Sequence, residues 1–479
     1  MFFGREDLIL QLEGLWRKRV SSLVTCRGRR RIGKSTLIRQ FAKATQSRFI
    51  KIEGARPDAG TTREDELRVF AEQLAAQTGC EDTTPSNWLN AFIRLAGRIR
   101  DDERTVVLLD EISWLGFGEP MFADIVRIAW ENYLKPHDRL IVVLCGSVSS
   151  WVRENFIDNR AYVGRRSLDV VAGELPPREC ARFWGEAASR TSARDILDVL
   201  SVTGGVPRYL EEIDPGLSAD ENIRRLAFLP KSVLRVDFDE MFSDVVTRQP
   251  KFAATAARAL VDGPKSVTEI AAALGTEKSG RISSAMDELE EAGFVASDPG
   301  RNPETGAEVR SRRYRLKDNY ARFYLKYVEP AKATIDAGSF AFDGMDRFAG
   351  WPTVLGLQFE NLVINNYRSL LPLLGLERSH VFSAAPYRRT ASEKSRKKGV
   401  QIDLLLQTKM SFCLVEIKRQ REIGREILDE MKEKVRRFAA PREMSVRTAL
   451  VYDGRLAPSV EADGYFDAIV PFSRLLGLD

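Results

Sequence analysis

The segment "SLVTCRGRRRIGKSTLIRQF", residues 22–41, limits the possible folds more than any other stretch. Residues 22–27 are a short strand-like run, residues 28–35 satisfy G-x-x-x-x-G-K-[ST], and Leu37, Ile38 and Phe41 then recur with helical spacing. Strand, glycine-bounded loop and helix in this order aim backbone N–H groups and a positive helix end at an anion. Gly28 and Gly33 let the backbone wrap phosphates, Lys34 reaches the β- and γ-phosphates, and Ser35 offers a hydroxyl to Mg²⁺. Arg29, Arg30, Arg31, Ile32 and Thr36 complete the loop and first helical turn. "RTVVLLDEISWLG" (104–116) and "DRLIVVLCGSVSSWV" (138–152) are continuous apolar runs with polar ends, the pattern of buried parallel strands whose carboxyl ends line a site. Asp110 would complete the Mg²⁺ shell and Glu111 would activate water. Ser147, at the next strand end, either hydrogen-bonds the γ-phosphate or caps a helix.

The chain has 479 residues, more than one core usually serves, and 44% hydrophobic with 29% charged residues is the composition of a globular protein. No run of about 18 apolar residues occurs, and "MFFGREDLIL" places charges where a signal peptide needs an apolar stretch, so a cytoplasmic protein is expected. Five scattered cysteines and two histidines argue against zinc and disulfides. A net charge of +5 is too small to imply nucleic acid by itself; local clusters must carry that reading.

The spacing predicts an α/β chain with a P-loop ATPase core over 1–173, a helical lid over 174–250, a winged helix-turn-helix over 251–330 and a further α/β domain over 331–479. "FFGREDLILQLEGL", "GRRRIGKST", "VVLLDE", "VVLCGSVSSWV", "GRRSLDV" and "TGGVPRYL", in that order, resemble the archaeal-type ATPase family, related to AAA+ and STAND NTPases. The resemblance covers roughly the first 250 residues. It implies that Gly4, Arg5 and the segment around Gly205 and Pro207 flank an adenine, with ATP as the nucleotide. It also implies an arginine finger at Arg165 or Arg166, in cis or across a contact in a homo-oligomer.

Residues 251–330 read as helix, short helix, turn, longer helix, then two strands, the winged-helix order. Lys278, Arg281 and Ser283 near the second helix start, with Arg310, Arg312, Arg313 and Arg315 on the wing, are placed to meet DNA phosphates. An adaptor role is the alternative, and "MDELEEAGF" makes the far end of that helix acidic.

In "GVQIDLLLQTKMSFCLVEIKRQ" (399–420), a hairpin turning at Lys409-Met410 sets Asp403 opposite Glu416, so Asp403, Glu416 and Lys418 share a face. Ile402, Leu404 and Leu406 then share the apolar face with Ile417, Val415 and Cys413. Two adjoining carboxylates repel unless a cation joins them. Asp403 and Glu416 would ligate Mg²⁺ or Mn²⁺, and Lys418 would orient or deprotonate water for attack on a phosphodiester. With Glu360 of "LQFENLV" as a further acidic ligand, the set resembles the PD-(D/E)XK restriction-endonuclease-like nucleases, position by position. The basic stretch 388–398 either guides a phosphate backbone or is a solvated loop. The expected protein is an ATP-hydrolysing, Mg²⁺-dependent DNA-processing nuclease without a membrane partner. A nucleotide-switched scaffold with a non-cleaving domain and a transcription regulator are the alternatives.

Overall fold

The computed structural model describes all residues except 1, 59, 148, 247–248, 278, 302–307, 391–397, 439 and 479. Lys278 and most of the basic stretch 388–398 therefore lie outside the described residues, as does the side chain of Arg310. The chain divides into two compact units, Met1–Glu174 and Leu175–Asp479.

The first unit is built on a five-stranded parallel sheet of order β2-β3-β4-β1-β5. Its strands are β1 (Ser22–Arg27), β2 (Arg48–Glu53), β3 (Thr105–Asp110), β4 (Leu140–Gly146) and β5 (Arg166–Val171). Alternate residues enter different cores, which is why the strands read as unbroken apolar runs. Val24, Cys26, Val106, Leu108, Ile141 and Val143 pack with Leu37, Ile38 and Phe41 of the helix Lys34–Ala44. Leu23, Val107, Leu109, Val142 and Leu144 pack with Phe70, Trp88, Phe92 and Phe122 on the opposite face. Helices on both faces make this a doubly wound α/β unit.

Glu66, on the helix Arg63–Thr78, is fully buried and accepts one hydrogen bond, from the Ala55 N–H at 3.1 Å. Burial pushes its carboxyl up to about 7, despite that bond. An unfolded glutamate ionises near 4.3. Between the two values the unfolded chain loses its proton first, so this group costs stability as pH rises through that window. Glu66→Gln keeps an acceptor for Ala55. The variant is expected to gain on the order of 1–3 kcal/mol at pH 8 and nothing at pH 4, read by calorimetric melting at both.

In the second unit, the helix Pro250–Arg258 leads into β6 (Lys265–Ser266), the helices Val267–Ala273 and Gly280–Glu291 follow, and β7 (Val295–Arg301) and β8 (Glu308–Leu316) then complete a three-stranded antiparallel sheet of order β6-β8-β7. The mixed C-terminal sheet follows, in order β13-β12-β11-β10-β9. It comprises β9 (Val381–Arg389), β10 (Val400–Thr408), β11 (Ser411–Ile423), β12 (Ser445–Leu456) and β13 (Ala468–Pro471). The segments expected to be lid and C-terminal domain share one hydrophobic core. Trp184, Ile196 and Leu200 join Phe359, Leu362, Val415 and Val451, and Arg419 of β11 pairs with Asp198 of the helix Ala193–Thr203 at 2.9 Å.

A buried polar network also ties β8 to the helix Trp351–Asn365. Arg322, in the core, donates to Gln358 Oε1 at 2.9 Å, and Asn361 donates to the Leu316 carbonyl at 2.6 Å. Arg315 belongs to it: it is buried, paired with Asp298 at 3.1 Å, and bonded to Asn361 at 2.7 Å and Asn365 at 3.0 Å. That corrects its expected place among exposed wing cations, since a guanidinium so enclosed cannot meet a phosphate backbone. Arg313 is partly spent too, on Glu269 at 2.8 Å.

Candidate active sites

The first site lies where β1, β3 and β4 end. Gly28 has φ 150, and a Cβ there would stand 2.2 Å from the Ala172 carbonyl oxygen, so the loop can run this close to its neighbour only with glycine. Gly33 caps the following helix at φ 83. The ammonium of Lys34, buried, donates to the carbonyls of Gly28 at 2.9 Å and Arg29 at 3.1 Å. Ile32 is fully buried, Thr36 is exposed, Arg29 pairs with Glu174 at 3.7 Å, and Arg30 lies 5.9 Å over Trp114. Arg31 sits at φ 67.

Asp110, only 3% exposed, accepts from Ser35 Oγ at 2.5 Å through Oδ2 and from the Glu111 N–H at 3.2 Å through Oδ1. Glu111 takes a left-handed turn, φ 45, and its Oε2 accepts from the Ser147 N–H at 3.2 Å and Oγ at 2.7 Å. The structure thus gathers Ser35, Asp110, Glu111 and Ser147. A hydroxyl beside a buried carboxylate is a hard-oxygen pair suited to Mg²⁺. Lys51, which the sequence reading missed, stands beside the same Asp110 oxygen, its Nζ 3.1 Å away and 2.5 Å from Glu53. Burial pulls its ammonium down, but the bonds and charges of Glu53 and Asp110 outweigh that and hold it above the ordinary lysine range.

Arg5 donates to the carbonyls of Ile32 at 2.6 Å and Gly173 at 2.8 Å, so it braces the phosphate loop from behind; Gly4 precedes it at φ 71. Pro207 opens the short helix Pro207–Leu210 in the second unit. Arg165 pairs with Glu131 at 2.8 Å and bonds the Ala161 carbonyl, while Arg166 bonds the Ile157 carbonyl at 3.1 Å. Neither set of partners belongs to the phosphate loop.

The second site lies on the C-terminal sheet. The hairpin has the expected register, with Leu404 opposite Val415 and Gln407 opposite Phe412. Against β9, however, β10 slips by one residue between Ile402 and Leu405. Ile402 therefore packs with Tyr387, Phe412 and Leu414, whereas Leu404 and Leu406 join Cys413, Val415 and Ile417. The expected common face for Ile402, Leu404 and Leu406 is broken by this bulge, and bulges commonly re-aim side chains. Asp403 sits at the slip, 8% exposed, with Oδ2 accepting from the Ile417 N–H at 2.9 Å.

Glu416 is 2% exposed. It pairs with Lys418 at 3.3 Å and, more closely, with Lys434 of the helix Glu426–Phe438. Lys418 also pairs with Glu430 at 2.8 Å. Lys434 and Glu430 escaped the sequence reading because an i,i+4 pair on an amphipathic helix looks like a solvated face. Burial, then the charges of Glu416 and Glu360, push the Asp403 carboxyl up to about 8. Burial also raises Glu360, with Arg322 offsetting it and Glu416 adding to it. Two carboxyls raised by burial and by the charge of Glu416 suit a cation. Yet among the described residues no three His, Cys, Asp or Glu side chains stand ready to hold a metal ion. The expected ligand set Glu360, Asp403 and Glu416 is therefore not assembled as a finished cluster; two lysine ammoniums occupy Glu416 instead. Burial lowers Lys418, but bonds to Glu430 and Glu416 outweigh it and hold the ammonium above its ordinary range. Orienting water suits it better than deprotonating it.

Residues 18–150 match the model of a family described as an AAA domain. Together with the parallel sheet and the phosphate loop, this makes the first unit an AAA-type P-loop ATPase domain. Over 367 residues, 76% of each chain, the protein is 22% identical to an uncharacterized protein of Methanocaldococcus jannaschii. Among solved structures it is similar in fold to the Walker-type ATPase of Pyrococcus abyssi, with a TM-score of 0.51 and 16% identity over 68% of this chain and 96% of that one. The ORC2 protein of Aeropyrum pernix matches at a TM-score of 0.44 and 13% identity, over 70% of this chain and 95% of that one. Among the described residues no helix is long and apolar enough to cross a membrane.

Proposed function

We propose that the chain is an ATP-hydrolysing DNA-processing protein whose second unit binds DNA and cuts it with a divalent metal. The observation that carries the proposal is the juxtaposition at the β10 bulge. There the buried Asp403 and Glu416, electrostatically coupled to Glu360, are flanked by Lys418 and Lys434. When bound, Mg²⁺ or Mn²⁺ would polarise a phosphodiester and supply a nucleophilic water. Although the three carboxylates do not stand as a ready cluster, Asp403, Glu416 and Glu360 would hold it once the Lys434 ammonium gives up Glu416, and Lys418 would orient the water.

Cations at the same end of the sheet suit a phosphate backbone. Arg388 and Arg389 pair in register with Gln401 and Val400, and Arg437 bonds the Gly399 carbonyl at 3.0 Å. We read the helices and sheet of residues 250–316 as a winged helix. Its exposed Arg281 and Arg312 remain available to a duplex, although Arg281 also lies over Phe252 at 4.0 Å. In the first unit, ATP would sit on Gly28–Ser35 with Mg²⁺ between Ser35 and Asp110, and Glu111 would act on the attacking water.

A second reading, a nucleotide-switched scaffold that binds DNA without cutting it, is favoured by the two lysines that already neutralise Glu416. Supercoiled plasmid incubated with the full chain separates the two. The nuclease reading expects nicked or linear product with Mg²⁺ or Mn²⁺ and none in EDTA, with ATP altering the rate. Retarded but intact plasmid under every divalent ion would establish the scaffold reading instead.

A further inference from the structure

Lys51 stands outside the loop and strand ends from which the nucleotide site is built, yet it reaches the buried metal-shell carboxylate. Its Nζ lies 3.1 Å from Asp110 Oδ2, the oxygen that also accepts Ser35 Oγ. On its other side, Glu53 Oε2 is 2.5 Å away and half exposed. The strand register sets Glu53 beside Asp110 and Lys51 beside Leu108, so the lysine side chain reaches forward along β2 between two carboxylates. β2 is an edge strand, and its outer backbone groups are held by side chains of the helix Arg63–Thr78. Gln77 bonds the Lys51 N–H and carbonyl, and Gln73 bonds those of Glu53. The backbone is thereby fixed while the ammonium has two alternative partners.

A Lys51–Glu53 pair alone would be a surface ion pair of little worth. What distinguishes this one is Asp110, whose side chain is 4% exposed and which water screens poorly. We propose that Lys51 is a built-in competitor of Mg²⁺: in the metal-free site its ammonium neutralises Asp110, and metal binding passes it to Glu53. The inference rests on Gly28–Ser35 and Asp110 being a Mg²⁺–nucleotide site. Lys51 and Glu53 together then set the Mg²⁺ concentration at which nucleotide is held. A monovalent charge beside a divalent ion at a poorly screened carboxylate shifts apparent affinity by about three- to tenfold.

The test is ADP binding to the full chain by fluorescence titration across a range of Mg²⁺ concentrations and in EDTA. Lys51→Met is expected to lower the half-saturating Mg²⁺ by about three- to tenfold. Glu53→Gln, which leaves Asp110 as the carboxylate partner of the ammonium, is expected to raise it. A merely structural lysine would move neither, so unchanged Mg²⁺ dependence in both variants overturns the proposal. So does a loss of ADP affinity in EDTA for Lys51→Met, since the ammonium would then be gripping phosphate. Wild-type protein that binds no ADP with or without Mg²⁺ would instead overturn the nucleotide reading itself, and this inference with it.

Discussion

Glu111→Gln is expected to lower ATP turnover by about 10²–10⁴-fold, the range that positioned proton transfer contributes, while ATP remains bound. Glu111 follows the buried Asp110 with its backbone left-handed at φ 45, and its carboxylate accepts from Ser147. Glutamine keeps an oxygen to accept from the Ser147 N–H and Oγ, so the local geometry survives. What it loses is the ability to take a proton from water. Lys34→Ala differs in kind: it removes an ammonium buried against the Gly28 and Arg29 carbonyls, and both binding and turnover are expected to fall. Phosphate release and filter-retained ATP, measured in parallel, separate the two variants. Wild-type turnover in Glu111→Gln would remove Glu111 from the chemistry.

How far the sequence could be read depended on how local each feature is. The phosphate loop is contiguous and its chemistry demands particular residue types at fixed spacing, so Gly28, Gly33, Lys34 and Ser35 were legible as a unit. Asp110, Glu111 and Ser147 were legible because parallel strands bring their carboxyl ends to one edge whatever their separation in sequence. Lys51 was not. It sits in "RFIKIE", a half-buried edge strand in which charges alternate with apolar residues, and only the pairing of β2 with β3 sets it beside Asp110. Arg165 and Arg166 were singled out by resemblance, and Arg165 pairs with the nearby Glu131.

The second unit shows the same division. Hairpin symmetry about Lys409-Met410 gave the pairing of Leu404 with Val415, since a tight turn fixes register. The one-residue slip against β9 was invisible, because it depends on a strand whose pairing the hairpin does not encode. Arg315 looked like a wing cation in "RSRRYRL", a strand in which four of seven residues are arginine. Its partners Asp298, Asn361 and Asn365 are distant in sequence, and their side chains supply the acceptors that make its burial tolerable.

Asp403→Asn is expected to reduce divalent-metal-dependent cleavage by roughly 10³-fold or more, since about 4 kcal/mol of transition-state stabilisation is a modest share of what a bound metal supplies. The same substitution should leave the fold at least as stable, and this makes the outcome interpretable. Asparagine retains an oxygen for the Ile417 N–H, and it removes a carboxyl that burial, Glu416 and Glu360 push up to about 8. An unfolded aspartate ionises near 3.9, so between the two values the native state alone must keep its proton, and the group costs stability as pH rises. In EDTA the variant should therefore melt higher than wild type at pH 8 and match it at pH 4. Lost cleavage with a raised melting temperature would identify Asp403 as part of the cutting site. Lost cleavage with a lowered one would mark it as structural, and undiminished cleavage would move the chemistry elsewhere. Lys434→Met sharpens the reading: if this ammonium only holds Glu416 until metal arrives, the variant should need less Mn²⁺ for cleavage, whereas a lysine that contacts the scissile phosphate should lose cleavage at every Mn²⁺ concentration.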